Sequence, residues 1–468
     1  MDEYIKLVHG HTHTGTDICS TGIEGLDKVL GGGVPCGSTI LVEGPPGAGK
    51  TSLAARFLYE AAVKNKEKGA YVSFVENKES FYTFMKKLGL DFEELENKGL
   101  FTFIEAIPIH NEEALRLILE RLIMEVLEKQ IRRIVIDSIT VLIHAFGAEK
   151  AREILTTLIL RELKKLGVTT LLIAEKPRSY TEAEISIEEY IADTVIELNY
   201  RIEYGKMVRY MRILKARGTS IPLSELTFTL TKGQVIDVFT PIIPHEIPAV
   251  DSETRYITGV PIIDKVLGEI PRGSQTLIVT EPGLDALVAM MFGLLPLIAR
   301  YDGPSIIMSF TRSPDEVKRL ISNLSLKLNI KSDDVLSKIE VISINPTTLS
   351  LQELASFTAR IELNTTPKFI GIHGLNVLLE LYPSVNVYLA THLNNVLLRR
   401  KLGITSFYTY TANLARSDIP GIDIYDIVVY VEKIEEEGEE YYKITMFRHP
   451  TTHRFKTIKV RPHEILLP

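Results

Sequence analysis

Short apolar runs alternate with longer stretches of helical periodicity along most of this chain. The runs "STILVEG" from Ser38, "GAYVSFV" from Gly69, "RRIVIDS" from Arg132 and "VTTLLIAE" from Val168 are rich in β-branched residues and lack polar alternation. That pattern predicts strands of a parallel sheet buried on both faces. Between the first two, "KTSLAARFLYEAAVK" sets Leu53, Phe57, Leu58 and Ala61 at helical spacing, which predicts a helix packed on that sheet. Strand and helix in regular alternation imply a doubly wound α/β fold. Alternating strands follow in "VIELNYRIEYGKMVRYMRILKARG" from Val195, and again in "VVYVEKIEEEGEEYYKITMFRHP" from Val428. Each has a glycine suited to a hairpin turn.

The pattern occurs twice. "TGIEGLDKVLGGGVPCGSTILVEGPPGAGKT" from Thr21 lines up with "TGVPIIDKVLGEIPRGSQTLIVTEPGLDAL" from Thr258. Gly44 and Thr280, Val72 and Met308, and Asp137 and His373 are each 236 residues apart. A constant offset over about a hundred residues is the mark of a tandem duplication. The proline-bearing stretch "VFTPIIPHEIPAVDSE" separates the copies, and prolines disfavour helix and favour extended chain. The expected domains are residues 1–240 and 256–468, joined by a linker over 241–255.

Composition narrows the class. The chain has 468 residues, 45% apolar and 24% charged, with a net charge of −7. An acidic balance argues against a dedicated nucleic-acid surface. No apolar run has the length of a membrane span, and the charged N-terminus lacks a signal-peptide core. With only Cys19 and Cys36, no disulfide framework is expected, and their spacing is not that of a metal or redox pair. Together these features predict a cytoplasmic protein.

The chemistry concentrates in "GPPGAGKT", which fits G-x-x-x-x-G-K-[ST] with Gly44, Gly49, Lys50 and Thr51. A strand precedes it and a helix begins at its lysine, which is the context such a loop requires. Gly47 and Gly49 let backbone N–H groups curl around phosphate oxygens, with Ala48 between them. The helix N-terminus and Lys50 supply positive charge, and Thr51 is the candidate Mg²⁺ ligand, with Ser52 beside it. Asp137 ends the strand "IVIDS", where a carboxylate can hold Mg²⁺ next to Thr51. A helix cap is the ordinary alternative for such an aspartate.

On "STGIEGLDKVLGGGVPCGS", "GPPGAGKT" and the later "ILKARGTS", the first copy resembles the RecA-type ATPases, and within them the KaiC-like family. Because KaiC is itself a tandem of two such domains, the resemblance extends over nearly the whole chain. It implies two RecA-like domains and ATP with Mg²⁺ bound between neighbouring subunits of a ring, commonly a hexamer. It implies nucleotide contacts from Gly44, Gly47, Ala48, Gly49, Lys50, Thr51, Ser52 and Thr219. In that family the strand after the first helix ends in two glutamates. Here Val75 replaces the first and Glu76 stands at the second, so Glu76 is the candidate for polarising the attacking water. Lys215 and Arg217 match the cations that reach the γ-phosphate held by a neighbouring subunit. Their spacing of two points both to one face of a strand.

In the second copy, Asp285, Ala286 and Leu287 replace the final glycine, the lysine and the hydroxyl of the loop. Arg312 aligns with Glu76, His373 with Asp137, Met446 with Lys215 and Arg448 with Arg217. These losses predict a pseudo-ATPase whose role is to stabilise the ring or to present a surface to a protein partner. Where the family's second domain carries phosphorylated hydroxyls, this chain has Ile422 and Asp423, which argues against autophosphorylation of that kind. His9, His11 and His13 alternate near the N-terminus, a pattern open to a metal site but more readily read as surface. "EKIEEEGEE" from Glu432 reads as a solvated hairpin tip. The leading expectation is ATP hydrolysis in the first domain that acts as a regulatory switch. The alternatives are a nucleotide sensor with negligible turnover, a DNA-acting recombinase paralogue, and a protein kinase.

Overall fold

The structure is a computed structural model. It describes residues 17–106, 112–176, 191–203, 205–221, 223–231, 235–240, 246–382, 384–413, 419–450 and 456–461. The chain divides into two compact units, Met1–Thr240 and Pro241–Pro468. His9, His11 and His13 lie outside the described residues, as do 241–245 of the proline-bearing stretch. The later part of that stretch is not plain extended chain, because Asp251–Tyr256 pairs as a strand with Ile270–Arg272.

The main sheet of the first unit contains β1 (Thr39–Gly44), β2 (Gly69–Ser73), β3 (Phe101–Glu105), β4 (Arg133–Asp137), β5 (Thr169–Glu175), β6 (Thr194–Glu203), β7 (Lys206–Ala216), β8 (Glu225–Thr229) and β9 (Asp237–Phe239). Their spatial order is β9-β8-β7-β6-β1-β5-β4-β2-β3. The six strands from β6 through β1 to β3 run parallel, and β7, β8 and β9 add antiparallel pairs at one side. Central β1 is buried along its whole length. Ile40 and Val42 face one apolar cluster and Leu41 the other, as a strand covered on both faces requires. Leu53, Phe57, Leu58 and Ala61 are all buried, so the helical spacing marked the correct face of α1 (Lys50–Glu60).

The second unit repeats this plan. Its strands are β10 (Gln275–Thr280), β11 (Ser305–Ser309), β12 (Ile339–Ser343), β13 (Phe369–His373), β14 (Thr405–Thr411), β15 (Ile427–Glu436), β16 (Glu439–Arg448) and β17 (Lys456–Val460). Read from the antiparallel side, the order is β17-β16-β15-β10-β14-β13-β11-β12, which matches the first unit from β8 to β3. The strands β1, β2, β4 and β5 recur at an offset of 236 residues with unchanged lengths, and α1 recurs as α2 (Ala286–Arg300). These four inner strands of the parallel core are duplicated residue for residue, while the flanking β3 and β6 recur at slightly different offsets. Both hairpins form where the sequence places them, turning at Gly205 and at Glu437–Gly438, all with positive φ.

Two sequence expectations need correction. Cys19 and Cys36 are disulfide-bonded, with Cα atoms 5.1 Å apart. The short strands Ile18–Cys19 and Val34–Pro35 pair antiparallel, which brings together two cysteines that look unrelated in a linear reading. The cysteine count therefore no longer supports the expectation of a cytoplasmic protein. No helix among the described residues is long and apolar enough to cross a membrane.

The second correction concerns the hairpins. In each, one extra residue bulges from the second strand: Lys215 opposes Val195 and Ile213 opposes Ile196, while Arg448 opposes Val428 and Met446 opposes Val429. Leu41 of β1 pairs with Val195 and Leu277 of β10 with Val428, so the two registers are equivalent. Arg448 therefore stands where Lys215 does, Met446 corresponds to buried Ile213, and Pro450 falls at Arg217. The bulged residues Leu214 and Phe447 are both exposed.

Gly44 closes β1 with φ +147°, and a Cβ there would lie 2.0 Å from the Leu198 carbonyl oxygen of β6. A backbone atom cannot yield to such a contact. Gly44→Ala is expected to destabilise the first unit by about 3 kcal/mol or more, read by denaturant unfolding of the full chain. A change under about 1 kcal/mol would show that the two strands can separate there at little cost.

Candidate functional site

The loop between β1 and α1 shows why its residue types are needed. Gly47 has φ +78° with nothing within 4 Å of a Cβ position, so it faces open space. Gly49, φ +107°, is the N-cap of α1 and has no side chain with which to cap it. The first-turn N–H groups of α1 are thus left without a side-chain acceptor and point into the loop, as an anion site requires. Ala48 is buried beneath the loop, and Ser52 is partly buried in the first turn. The buried Lys50 ammonium donates to the carbonyl oxygens of Gly44 at 2.8 Å and Pro45 at 3.0 Å. A carboxylate oxygen of Glu175, at the end of β5, lies 3.4 Å from it. The lysine is therefore held back along its own loop by two carbonyls and one partly exposed carboxylate.

Beside the loop, β4 ends in Asp137 next to the end of β2, with Ser73 and Asp137 paired across the two strands. Thr51 Oγ1 donates to Asp137 Oδ2 at 3.2 Å, and the Tyr71 hydroxyl donates to the same oxygen. Burial pushes the Asp137 carboxyl above its ordinary range, against the pull of these two donors and of Lys50. A carboxylate with a hydroxyl at its side, short of compensating charge in a desolvated position, suits a hard divalent cation. Thr51 and Asp137 are the residues that would hold Mg²⁺ here, where a cation would neutralise phosphate charge. Glu76 lies just past β2, where the Ser73 hydroxyl accepts from its backbone N–H at 2.8 Å. Burial first, and then the Asp137 charge, raise the Glu76 carboxyl.

The fold thus gathers Gly44, Gly47, Ala48, Gly49, Lys50, Thr51, Ser52, Glu76 and Asp137 at the edge where the parallel strands end. Lys215, Arg217 and Thr219 are elsewhere. The backbone N–H of Arg217 donates to the Asp193 carbonyl at 3.0 Å, and its guanidinium meets the Asp193 carboxylate at 3.3 Å. The same carboxylate accepts from the N–H of Thr39, where β1 begins. About five residues of strand, some 17 Å, separate that edge from Gly44, more than an arginine side chain spans. β7 ends at Ala216, so Arg217 is one residue past the strand rather than on it with Lys215. Thr219 follows in the same turn, its N–H directed at the Ala216 carbonyl.

Two further site residues escaped the sequence reading. Glu175 carried a usable signal, an acid ending an apolar strand as Asp137 does. Tyr71 carried none, because it sits inside an apolar run and meets Asp137 only across the sheet. Among the described residues, no group of three or more His, Cys, Asp or Glu side chains stands together as a metal site.

The corresponding site of the second unit is filled by its own side chains. Asp285 caps α2, accepting from the N–H groups of Leu287 at 3.1 Å and Val288 at 3.3 Å. Its other oxygen pairs with Arg312 at 2.8 Å. A carboxylate with a tethered counterion occupies the helix N-terminus that the first unit leaves open. Against it lies a cavity of about 490 Å³ whose lining, including Ile263, Val266, Val288, Leu320 and Val431, is largely apolar, so it is no substitute phosphate site. His373, in the place of Asp137, is buried with Nδ1 3.1 Å from the Ser309 hydroxyl and 3.3 Å from that of Thr311. Burial, with the Arg312 charge adding to it and Asp285 opposing, pushes its imidazole down from 6.5 to about 4. The stabilisation tied to the neutral ring is therefore complete above pH 6.5 and is lost as pH falls through about 4. Nuclear magnetic resonance titration is expected to find His373 neutral until the pH approaches 4; an ordinary midpoint would mean that the ring is not enclosed in solution.

Comparison with known proteins agrees with this geometry. Residues 19–242 match the family described as "ATPase: KaiC". The circadian clock oscillator protein KaiC of Acaryochloris marina is 32% identical over 257 residues, covering 53% of this chain and 48% of that protein. KaiC of Synechococcus elongatus is 31% identical over 256 residues, covering 53% and 49%. Circadian clock protein KaiC3 of a Synechocystis strain is 30% identical over 263 residues, covering 54% and 52%. The chain spans about half the length of the curated relatives it matches. With the loop, the strand-end carboxylate and the sheet order in place, the first unit of this chain is a KaiC-like, RecA-type ATPase domain.

Proposed function

We propose that the first unit binds ATP with Mg²⁺ and hydrolyses it slowly at sites shared between copies of the chain, and that turnover switches the assembly between states. The observation that carries this reading is the placement of Arg217, two residues after Lys215, at the opposite edge of the sheet from Gly44–Thr51. A chain cannot bring this arginine to its own phosphate loop, but a neighbour packed edge to edge in a closed ring can.

In this reading the backbone of Gly47–Thr51 and the Lys50 ammonium hold the phosphates. Glu76 takes a proton from the attacking water as that water bonds to the γ-phosphorus and the bond to the β,γ-bridging oxygen breaks, leaving ADP and phosphate. The neighbour's Lys215 and Arg217 stabilise charge on the transferring group. The second unit, with its phosphate site closed by Asp285 and Arg312, contributes no nucleotide site and serves as ring support or as a surface for a protein partner. Exposed Val75 beside Glu76 favours a second reading, a nucleotide sensor with negligible turnover. That reading keeps the binding site and drops the chemistry.

Equilibrium dialysis with labelled ATP is expected to find one site per chain, lost in Lys50→Ala; two sites would refute the closed second unit. For the shared site, Lys50→Ala and Arg217→Ala should each abolish phosphate release alone. Mixed, they should recover part of it, since some interfaces then pair an intact loop with an intact arginine. A mixture no more active than its separate components would exclude catalysis in trans. Binding without phosphate release by the native protein would leave the sensor.

A further inference from the structure

Tyr71 lies in the middle of β2, with its side chain fully buried. Its ring packs against Phe81 at 4.5 Å and stacks on Phe103 at 5.7 Å between centroids. Those neighbours ask only for an aromatic body at this position, so packing accounts for the ring and not for the hydroxyl. The hydroxyl donates to Asp137 Oδ2, with the Thr51 hydroxyl also beside it. Thr51 Oγ1 donates to that same oxygen at 3.2 Å. A carboxylate oxygen has two lone pairs, and both are taken. Among the described residues no donor reaches Oδ1, which remains open to a ligand.

The second unit provides an internal control. At the offset of 236 residues, Thr51, Tyr71 and Asp137 become Leu287, Ile307 and His373. Ile307 is as buried as Tyr71 and occupies the same strand register, Tyr71 facing Val135 and Ile307 facing Gly371. The fold therefore accepts an aliphatic side chain here. The hydroxyl disappears together with the metal-site hydroxyl and carboxylate, which groups it with them rather than with the core.

We propose that Tyr71 is a positioning residue for Mg²⁺: together with Thr51 it saturates one oxygen of Asp137 and so turns the other toward the cation of bound nucleotide. The proposal rests on the reading above that ATP is bound with Mg²⁺. The phenol supplies one O–H donor, fixed in place by the ring packing against Phe81 and Phe103. Thr51 can give its one proton to Asp137 and still present a lone pair to a cation, while Tyr71 keeps the carboxylate from rotating between its two oxygens. Partners of this kind, one step removed from the metal, typically govern metal affinity by about 10–100-fold.

The test uses the full chain and Mn²⁺ in place of Mg²⁺, with bound and free Mn²⁺ distinguished by electron paramagnetic resonance in the presence of a non-hydrolysable ATP analogue. Tyr71→Phe keeps the ring against Phe81 and Phe103 and removes only the hydroxyl. Mn²⁺ affinity is expected to fall by about 10-fold or more, with analogue binding in excess chelator unchanged. In an Asp137→Asn background the same substitution should add little, because Tyr71 acts through that carboxylate. Native Mn²⁺ affinity in Tyr71→Phe, or a full additional loss in the Asp137→Asn background, would overturn the proposal. If the native protein itself binds the analogue without recruiting Mn²⁺, the underlying Mg²⁺–ATP reading fails, a result distinct from either.

Discussion

Both units are organised around the N–H groups that the first turn of an α-helix leaves without partners. A parallel sheet with helices on both faces inevitably directs one such helix N-terminus at the end of its central strand. Something anionic has to satisfy it. The first unit withholds a side chain there: Gly49 has none to offer, and Lys50 is turned back onto the Gly44 and Pro45 carbonyls. The second unit provides Asp285 and neutralises it with Arg312. The rest of each site follows from that choice. An open helix end needs a lysine and a cation-holding carboxylate nearby, whereas a closed one can tolerate Leu287 and neutral His373.

The parallel core was legible because the cues that specify it are local and repeated. Central strands buried on both faces must be continuously apolar, and the same runs recur at a fixed offset, so each copy corroborates the other. What stayed hidden was set by pairing across the chain. The bulges at Leu214 and Phe447 shift the hairpin register by one residue, and only the register shows that Arg448 corresponds to Lys215. The Cys19–Cys36 bond depends on a ribbon of two-residue strands, too short for any periodicity to announce.

The site divides in the same way. The loop from Gly44 to Thr51 was readable because backbone geometry, charge and metal ligation all act within eight consecutive residues. Asp137 was readable from its position at the end of an apolar strand, and Glu175 could have been read on the same ground. Tyr71 could not, since its apolar setting and its ring predict only a core residue. The separation of Arg217 from the loop emerges only when β1 and β7 are seen to run in opposite directions, which brings the end of one beside the start of the other.

The pairing of Asp285 with Arg312 has a consequence in terms of linkage. A ligand that binds only the folded state stabilises it by an amount that grows with the logarithm of its free concentration. A carboxylate attached to the chain has no free concentration, so its contribution is constant. At this helix end the second unit gains nothing from a phosphate-bearing solute, while the first unit is left open to such coupling. One polypeptide thus joins a helix end whose partner can come from the surroundings to one whose partner is built into the chain.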